Sequence, residues 1–163
     1  MDENLARWIF ASVAKHFEST ASGLSLPYFV EGVDERTDDI MRADHVELRL
    51  TGPFVKEVSH NYWTVEVAVN VLFTAQMVLG GADAYNIMRW CGKFQSVMLD
   101  PIPIYQYNES PSTLVGCLTP KKNSSEAVRV YHFGQLSKDD RIRQSEVDAL
   151  YGKSIRILIT EVL

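Results

Sequence analysis

The sequence has little cysteine, no long apolar run and no excess of basic residues, and each shortage excludes a class of protein. Two cysteines, Cys91 and Cys117, are too few for a disulfide framework in 163 residues, and their apolar neighbours predict buried free thiols. No stretch approaches the roughly 20 apolar residues of a membrane span. A formal net charge of −5 disfavours a general nucleic-acid binder, which needs a basic excess.

Motifs for phosphate or metal binding are also absent from the sequence. There is no Gly-x-Gly-x-x-Gly or P-loop sequence, and the scattered histidines form no His-x-x-x-His pair. Residues 32–44 form an acidic loop, but a metal site built from Asp34, Asp38 and Asp39 lacks the spacing of an EF-hand. We therefore predict no metal ion and no cofactor.

Two further kinds of site can be assembled from the residues, and neither is favoured. Cys117 or Cys91 could act as a nucleophile with His132 and Asp148, but no local signature supports this and such triples occur by chance. Tyr105, Tyr107 and Trp63 could form a sugar or small-molecule site, but the strand pattern already assigns these aromatics to sheet faces. The sequence therefore predicts that the protein is not an enzyme.

The clearest structural signal is a strand with alternating apolar residues between Trp63 and Phe73. A repeat of two places the apolar residues on one face of a strand, and β-branched valines favour that geometry. They are Trp63, Val65, Val67, Val69, Val71 and Phe73. Val46, Leu48 and Leu50 alternate in the same way and predict a preceding antiparallel strand, which Gly52-Pro53 is expected to end.

Two stretches have apolar residues at helical spacing and predict amphipathic helices that cover this sheet. The first stripe is Leu5, Trp8, Ile9, Val13 and Phe17, and the second is Ile87, Trp90, Cys91, Phe94, Val97 and Met98. Asp83 is predicted to cap the second helix. Gly92 lies inside that helix, and a close approach to the sheet or to a neighbour is left open as its reason. The fold class predicted for residues 1–163 is a single α+β domain: a mixed or antiparallel β-sheet with two amphipathic helices packed on one face.

Shorter strands complete the sheet. A proline suggests that the strand at Leu26–Val30 is an edge strand, and the prolines of Pro101–Tyr105 place that extended segment at an edge or in a connection, because proline cannot donate a ladder hydrogen bond. Further strands are predicted at residues 114–118, 128–133 and 155–160, with the polar stretch 141–152 also extended. Charge is uneven along the chain, at −7 for residues 1–119 and +2 for residues 120–163. That difference suits a head-to-tail assembly, although variation along an ordinary surface also explains it.

Three segments together resemble the tail terminator (tail completion) proteins of long-tailed bacteriophages. They are LARWIFASVAKHF, then VELRLTGP followed by YWTVEVAVNVLF, and the final GQLSKDDRIRQSEVDALYGKSIRILI. The family has an amphipathic helix, a β-meander, a second helix on the same sheet face and a closing β-hairpin. Residues 33–44 and 108–125 are longer here than a minimal member needs.

The resemblance implies a virion structural protein. Such proteins form a ring, usually a hexamer, on the last ring of the tail tube, and they give the head connector a docking surface. The resemblance therefore implies a homo-oligomer, a tail-tube protein and a head-tail connector as partners, with DNA passing through the lumen without sequence-specific binding. The expected location is the virion tail or neck after synthesis in the host cytoplasm, since residues 1–10 do not resemble a signal peptide. Neck and tail-tube subunits share related folds, and a small enzyme or ligand-binding domain is the alternative of a different class.

One hypothesis about the ring follows from the polar stretch 141–148. Ordering a strand costs roughly 1–2 kcal/mol per residue in backbone entropy, and this stretch has few apolar residues to offset that cost within one chain. A neighbouring subunit could supply the missing contacts. We therefore expect Arg141, Arg143 and Glu146 to lie at a heterologous subunit interface. Reversing both arginine charges would then leave the monomer folded and prevent ring closure.

Overall fold

The structure is a computed structural model that describes residues 4–34, 43–59, 62–77, 82–107, 113–121, 128–131 and 142–156. These described residues form two helices, α1 (Leu5–Gly23) and α2 (Ala82–Met98), and seven strands. The strands are β1 (Tyr28–Val30), β2 (His45–Ser59), β3 (Tyr62–Gln76), β4 (Ile102–Gln106), β5 (Thr113–Pro120), β6 (Val128–Tyr131) and β7 (Ile142–Arg156).

The strands form one mixed sheet in the order β1-β2-β3-β7-β5-β4, and β6 also pairs with β7. Strand β1 runs parallel to β2, and the other pairs are antiparallel. Strand β3 lies at the centre because both of its edges are paired along most of their length, with β2 on one side and β7 on the other. The fold is therefore α+β with a mixed sheet, as the sequence predicts.

Both helices pack on the face of β3 that carries the alternating valines. The side chains of Val65, Val67, Val69 and Val71 are at most 1% exposed. Phe94 of α2 stacks on Phe17 of α1 with ring centroids 6.1 Å apart, and it contacts Phe73 of β3 edge-on at 5.0 Å. One aromatic side chain thus joins both helices to the sheet, which confirms the prediction of two helices on one face.

Strand β2 is longer than predicted, because it continues past Gly52-Pro53 to Ser59. A register shift between Thr51 and Phe54 accommodates the proline, so no ladder hydrogen bond is required of its nitrogen. Gly52 has a φ of +101°, and a Cβ atom there would lie 2.9 Å from the backbone oxygen of Glu66. Glycine therefore permits the irregularity, and the expected strand end is instead a bulge.

The polar stretch near Arg141 forms an ordered strand within one chain, contrary to the reasoning from its composition. Strand β7 pairs with β3 over fifteen residues, and its other edge pairs with β5 and β6. Ser145, Val147 and Ala149 are buried on its helix-facing side. Backbone pairing on both edges, together with small and apolar side chains on one face, stabilises a strand that has few large apolar residues. The predicted strand 155–160 is its continuation as far as Arg156, and residues 157–160 lie outside the described part.

Strands β1 and β4, which lie in the two proline-containing segments 26–30 and 101–105, are at the edges of the sheet. Strand β1 pairs with β2 alone among the described strands, and β4 pairs with β5 alone. The N–H of Tyr105 in β4 donates a hydrogen bond of 2.9 Å to Oγ of Ser12 in α1. Because Pro103 has no N–H and Tyr105 uses its own on the helix, β4 offers few free donors for pairing with another chain.

Candidate functional site

Arg143, predicted to lie at a subunit interface, has a partner within the chain. Its position pairs with Ala75 of β3, which places it on the side of the sheet that faces the helices. Its Nε atom lies 3.1 Å from Oδ2 of Asp83, in the first turn of α2. Asp83 is 2% exposed, while the Arg143 side chain is 28% exposed. The pair attaches the start of α2 to β7, and Asp83 lies inside the helix rather than capping it.

Glu146 lies on the opposite face of the sheet in a row of polar side chains. Nδ2 of Asn70 donates to its Oε2 over 3.4 Å, and Nε2 of Gln144 donates to Oγ1 of Thr74 over 3.2 Å. Further along this face, Glu47 is fully buried and lies 3.3 Å from Nε of Arg49. Glu146 therefore also has a contact within the chain. Arg141 lies outside the described residues, so the proposed interface stays a hypothesis.

Cys91 of α2 and Ser145 of β7 lie on the helix-facing side of the sheet, as the Arg143–Asp83 pair does. Both side chains are buried, and the Ser145 side chain forms a hydrogen bond with the Cys91 thiol. Burial raises the pKa of the thiol to about 12, and the hydrogen bond opposes this only in part. The thiol is therefore neutral at pH 7, and a neutral buried thiol is a poor nucleophile. Cys117 is also free and only half-buried.

This difference predicts that the two thiols react at very different rates with a thiol reagent. In the native protein at pH 7 to 8, a disulfide reagent should modify Cys117, whereas Cys91 should react only after unfolding in denaturant. The Cys117→Ser variant should then show almost no rapid reaction. Rapid modification of Cys91 in that native variant would contradict the burial and the raised pKa. The other two members of the possible nucleophilic triple, His132 and the side chain of Asp148, lie outside the part of the chain that the structure describes.

An open cleft lies between α1 and β4. It has a volume of about 310 Å³ and is lined by Ser12, Lys15, His16, Pro103, Tyr105 and Tyr107. The tyrosine rings lie 6.3 Å apart at their centroids, and Nζ of Lys15 lies 6.0 Å from the centroid of the Tyr107 ring. Burial lowers the pKa of His16, while the charge of Asp100 acts in the opposite direction. The cleft therefore offers one lysine cation, a mainly neutral imidazole and two aromatic faces.

The cleft corrects one inference from the sequence. The strand pattern predicts that Tyr105 and Tyr107 lie on sheet faces, but they are 36% and 37% exposed and line the cleft at the end of an edge strand. Their spacing of two residues already placed them on one side of an extended chain. The sequence could not show that α1 passes beside them. The side chain of Trp63, the third aromatic considered, is not described.

The described residues hold no cluster of three or more histidine, cysteine or acidic side chains that could bind a metal ion. Asp34, the one described member of the aspartate trio considered for a metal site, accepts a hydrogen bond of 2.7 Å from the N–H of Val30.

Neither described helix combines the length and the apolar character needed to cross a membrane.

Comparison with known proteins finds chains with a similar fold but does not assign this chain to a family. No family model matches this chain, and no curated protein does. Sixteen chains of solved structures match it. In one, whose name describes no activity, the match covers 93% of this chain and 95% of the other, with a TM-score of 0.61 and 7% identity. At this identity the likeness shows the fold alone, and it extends over nearly the whole of both chains.

Proposed function

We propose that this protein is a phage tail terminator that forms a ring at the head-proximal end of the tail, caps the tail tube and joins it to the head connector. The order of the elements along the chain carries the proposal. The resemblance implies a particular order of elements, and the chain has that order. It begins with an amphipathic helix and the long antiparallel pair β2–β3, and these are followed by a second helix on the same sheet face and the antiparallel pair β6–β7. Fold alone does not define function, so the ring and its position are the statements to test.

One feature of the described residues agrees with a structural role. Cys91, one of the two candidate nucleophiles, is buried in its neutral form. The partners in this proposal are further copies of the chain, the tail-tube protein and the head-tail connector, with DNA passing through the lumen without sequence-specific binding.

Electron microscopy of the protein with tail tubes assembled from the tube protein of the same virus tests this proposal. The purified chain should form rings, and a gold label on the chain should mark one end of each tube. Adding the chain during tube assembly should stop growth and shorten the tubes. A label along the whole tube would instead identify a tube subunit. A label that never binds tubes, together with the absence of rings, would contradict a role in the tail.

The cleft between α1 and β4 favours one alternative, a ligand-binding domain. Two exposed tyrosine rings beside Lys15 suit a flat ligand with an anionic group, because the rings offer stacking and the ammonium offers charge. The same cleft would serve a ring protein as a contact point for a partner segment. This function is the second candidate, because among the described residues Ser12 is the only lining residue whose side chain forms a hydrogen bond, and that bond is to Tyr105 in the wall of the cleft.

A further inference from the structure

The outward face of α2 carries apolar residues where a solvent-facing helix is normally polar. Tyr85 is 76% exposed and Met88 is 49% exposed, and both lie on the side of the helix away from the buried stripe. At about 100° per residue, Gly92 falls between them on this outward side. Arg89 and Lys93 are exposed along one flank of the same face. These five residues form the α2 surface.

Gly92 has no function in packing within the described part of the chain. A Cβ atom added there would have no neighbour within 4 Å. The residue therefore does not provide space for the sheet, which was one of the two reasons considered from the sequence. Glycine inside a helix is unfavourable relative to alanine, so its presence on an exposed face is better explained by a partner that approaches the helix backbone closely.

A second surface has the opposite charge around an exposed apolar residue. Glu31, Val33 and Asp34 follow β1, and Val33 is 64% exposed. Glu18 of α1 belongs to the same region, because its charge and that of Asp34 both act on the hydroxyl of Tyr28. That hydroxyl donates a hydrogen bond of 2.6 Å to the backbone oxygen of Ala14. The pKa of Tyr28 is raised, first by burial and then by these two carboxylates. We refer to Glu18, Glu31, Val33 and Asp34 as the acidic surface.

We propose that the α2 surface of one copy of this chain binds the acidic surface of a second copy. Each surface has exposed apolar area and charges of one sign, and the two signs are opposite. Within the described part of the chain, Arg89, Lys93, Glu18 and Glu31 form no ion pair, so these charges are available to a partner. Because the two surfaces differ, the contact is heterologous and can repeat around a ring. This inference rests on the proposed function and names the contact from which the ring is built.

Charge reversal with a mixing step tests the contact. Arg89→Glu with Lys93→Glu reverses the α2 surface, and Glu18→Lys with Glu31→Lys reverses the acidic surface. Each variant alone should raise the dissociation constant of self-association about tenfold or more, as measured by sedimentation velocity. An equimolar mixture of the two should regain assembly, because every contact then joins opposite charges. The quadruple variant should regain it as well. Arg7→Glu with Lys56→Glu, two exposed positions elsewhere, is the control for the change in net charge.

Gly92→Gln gives a second test that does not depend on charge. The substitution should raise the melting temperature of the monomer, because glutamine favours a helix and meets no neighbour at this position. The same side chain should weaken self-association by blocking the close approach of a partner. A change confined to folding stability would move the melting temperature alone, so opposite effects on the two measurements distinguish an interface.

The outcomes separate this contact from the ring itself. Wild-type assemblies that persist in both charge-reversed variants and in Gly92→Gln would overturn the contact and leave the ring proposal standing. Weakening by both reversals without recovery in the mixture or in the quadruple variant would overturn the pairing of these two surfaces. A wild-type chain that stays monomeric at its highest soluble concentration, with or without tail tubes, would overturn both proposals.

Discussion

Replacing Val67 by aspartate is expected to abolish the folded protein. Val67 is 1% exposed at the centre of β3, and its neighbours on the same face are the buried Val65 and Val69. A carboxylate there would lose its hydration without a partner, or would be protonated at a similar cost, which amounts to several kcal/mol. Since a domain of this size is stable by only about 5–15 kcal/mol, most of that stability would be lost. Soluble yield and circular dichroism in urea measure the effect.

Glu66→Gln is the matched control, because it replaces a carboxylate by a neutral amide at the position next to Val67 in β3. Glu66 is on the other face of β3, where its Oε1 atom contacts Nζ of Lys121, and its side chain is 40% exposed. Exposed ion pairs contribute about 0–1 kcal/mol, so this variant should remain folded. If Val67→Asp and Glu66→Gln were tolerated equally, the face assigned to the alternating valines would be wrong.

The parts of the fold that the sequence predicts well are those in which one local pattern is strong. The alternation from Val65 to Phe73 requires one buried face, and the stripes that include Phe17 and Phe94 require helices that cover it. Burial confirms all three. The prolines also predicted both edge strands, because the missing N–H restricts where such a strand can pair.

The parts that the sequence did not predict depend on contacts distant along the chain. Strand β7 has a polar sequence, yet pairing with β3 on one edge and with β5 and β6 on the other holds it inside the sheet. Arg143 and Asp83 are 60 positions apart, and no local pattern relates them. Tyr105 and Tyr107 line a cleft only because α1 passes beside β4. Local periodicity cannot indicate which elements become neighbours.

The contacts of Arg143 and Glu146 within the chain favour a different surface for the contact between subunits. The hypothesis for Arg143 and Glu146 began from a strand that lacked contacts in the monomer, whereas the structure gives both residues partners within the chain. The outward face of α2, unlike strand β7, presents side chains that a neighbouring subunit could contact. Its apolar side chains and its charges remain exposed, and Gly92 adds a small residue with no neighbour. For this reason the α2 surface is the stronger candidate for a ring contact.

Arg143→Ala is expected to destabilise the monomer itself, by about 2 kcal/mol. Removing one partner of a fully buried ion pair costs about 3–5 kcal/mol, and the lower figure allows for the 28% exposure of the arginine. The cost arises because Asp83, 2% exposed, loses the cation that lies 3.1 Å from its carboxylate. Urea denaturation monitored by circular dichroism gives the free energy of unfolding.

Arg7→Ala is the matched control for this prediction, since it removes the same side chain from an exposed position on α1 and should change stability by no more than about 0.5 kcal/mol. The comparison separates an internal role of Arg143 from a role confined to a subunit interface. An interface residue would leave the unfolding free energy of the monomer unchanged and weaken only assembly. Equal stability of Arg143→Ala and Arg7→Ala would therefore contradict the ion pair and return Arg143 to the interface hypothesis. Reversing the charge to glutamate should destabilise the monomer further, because two carboxylates would then face each other at the start of α2.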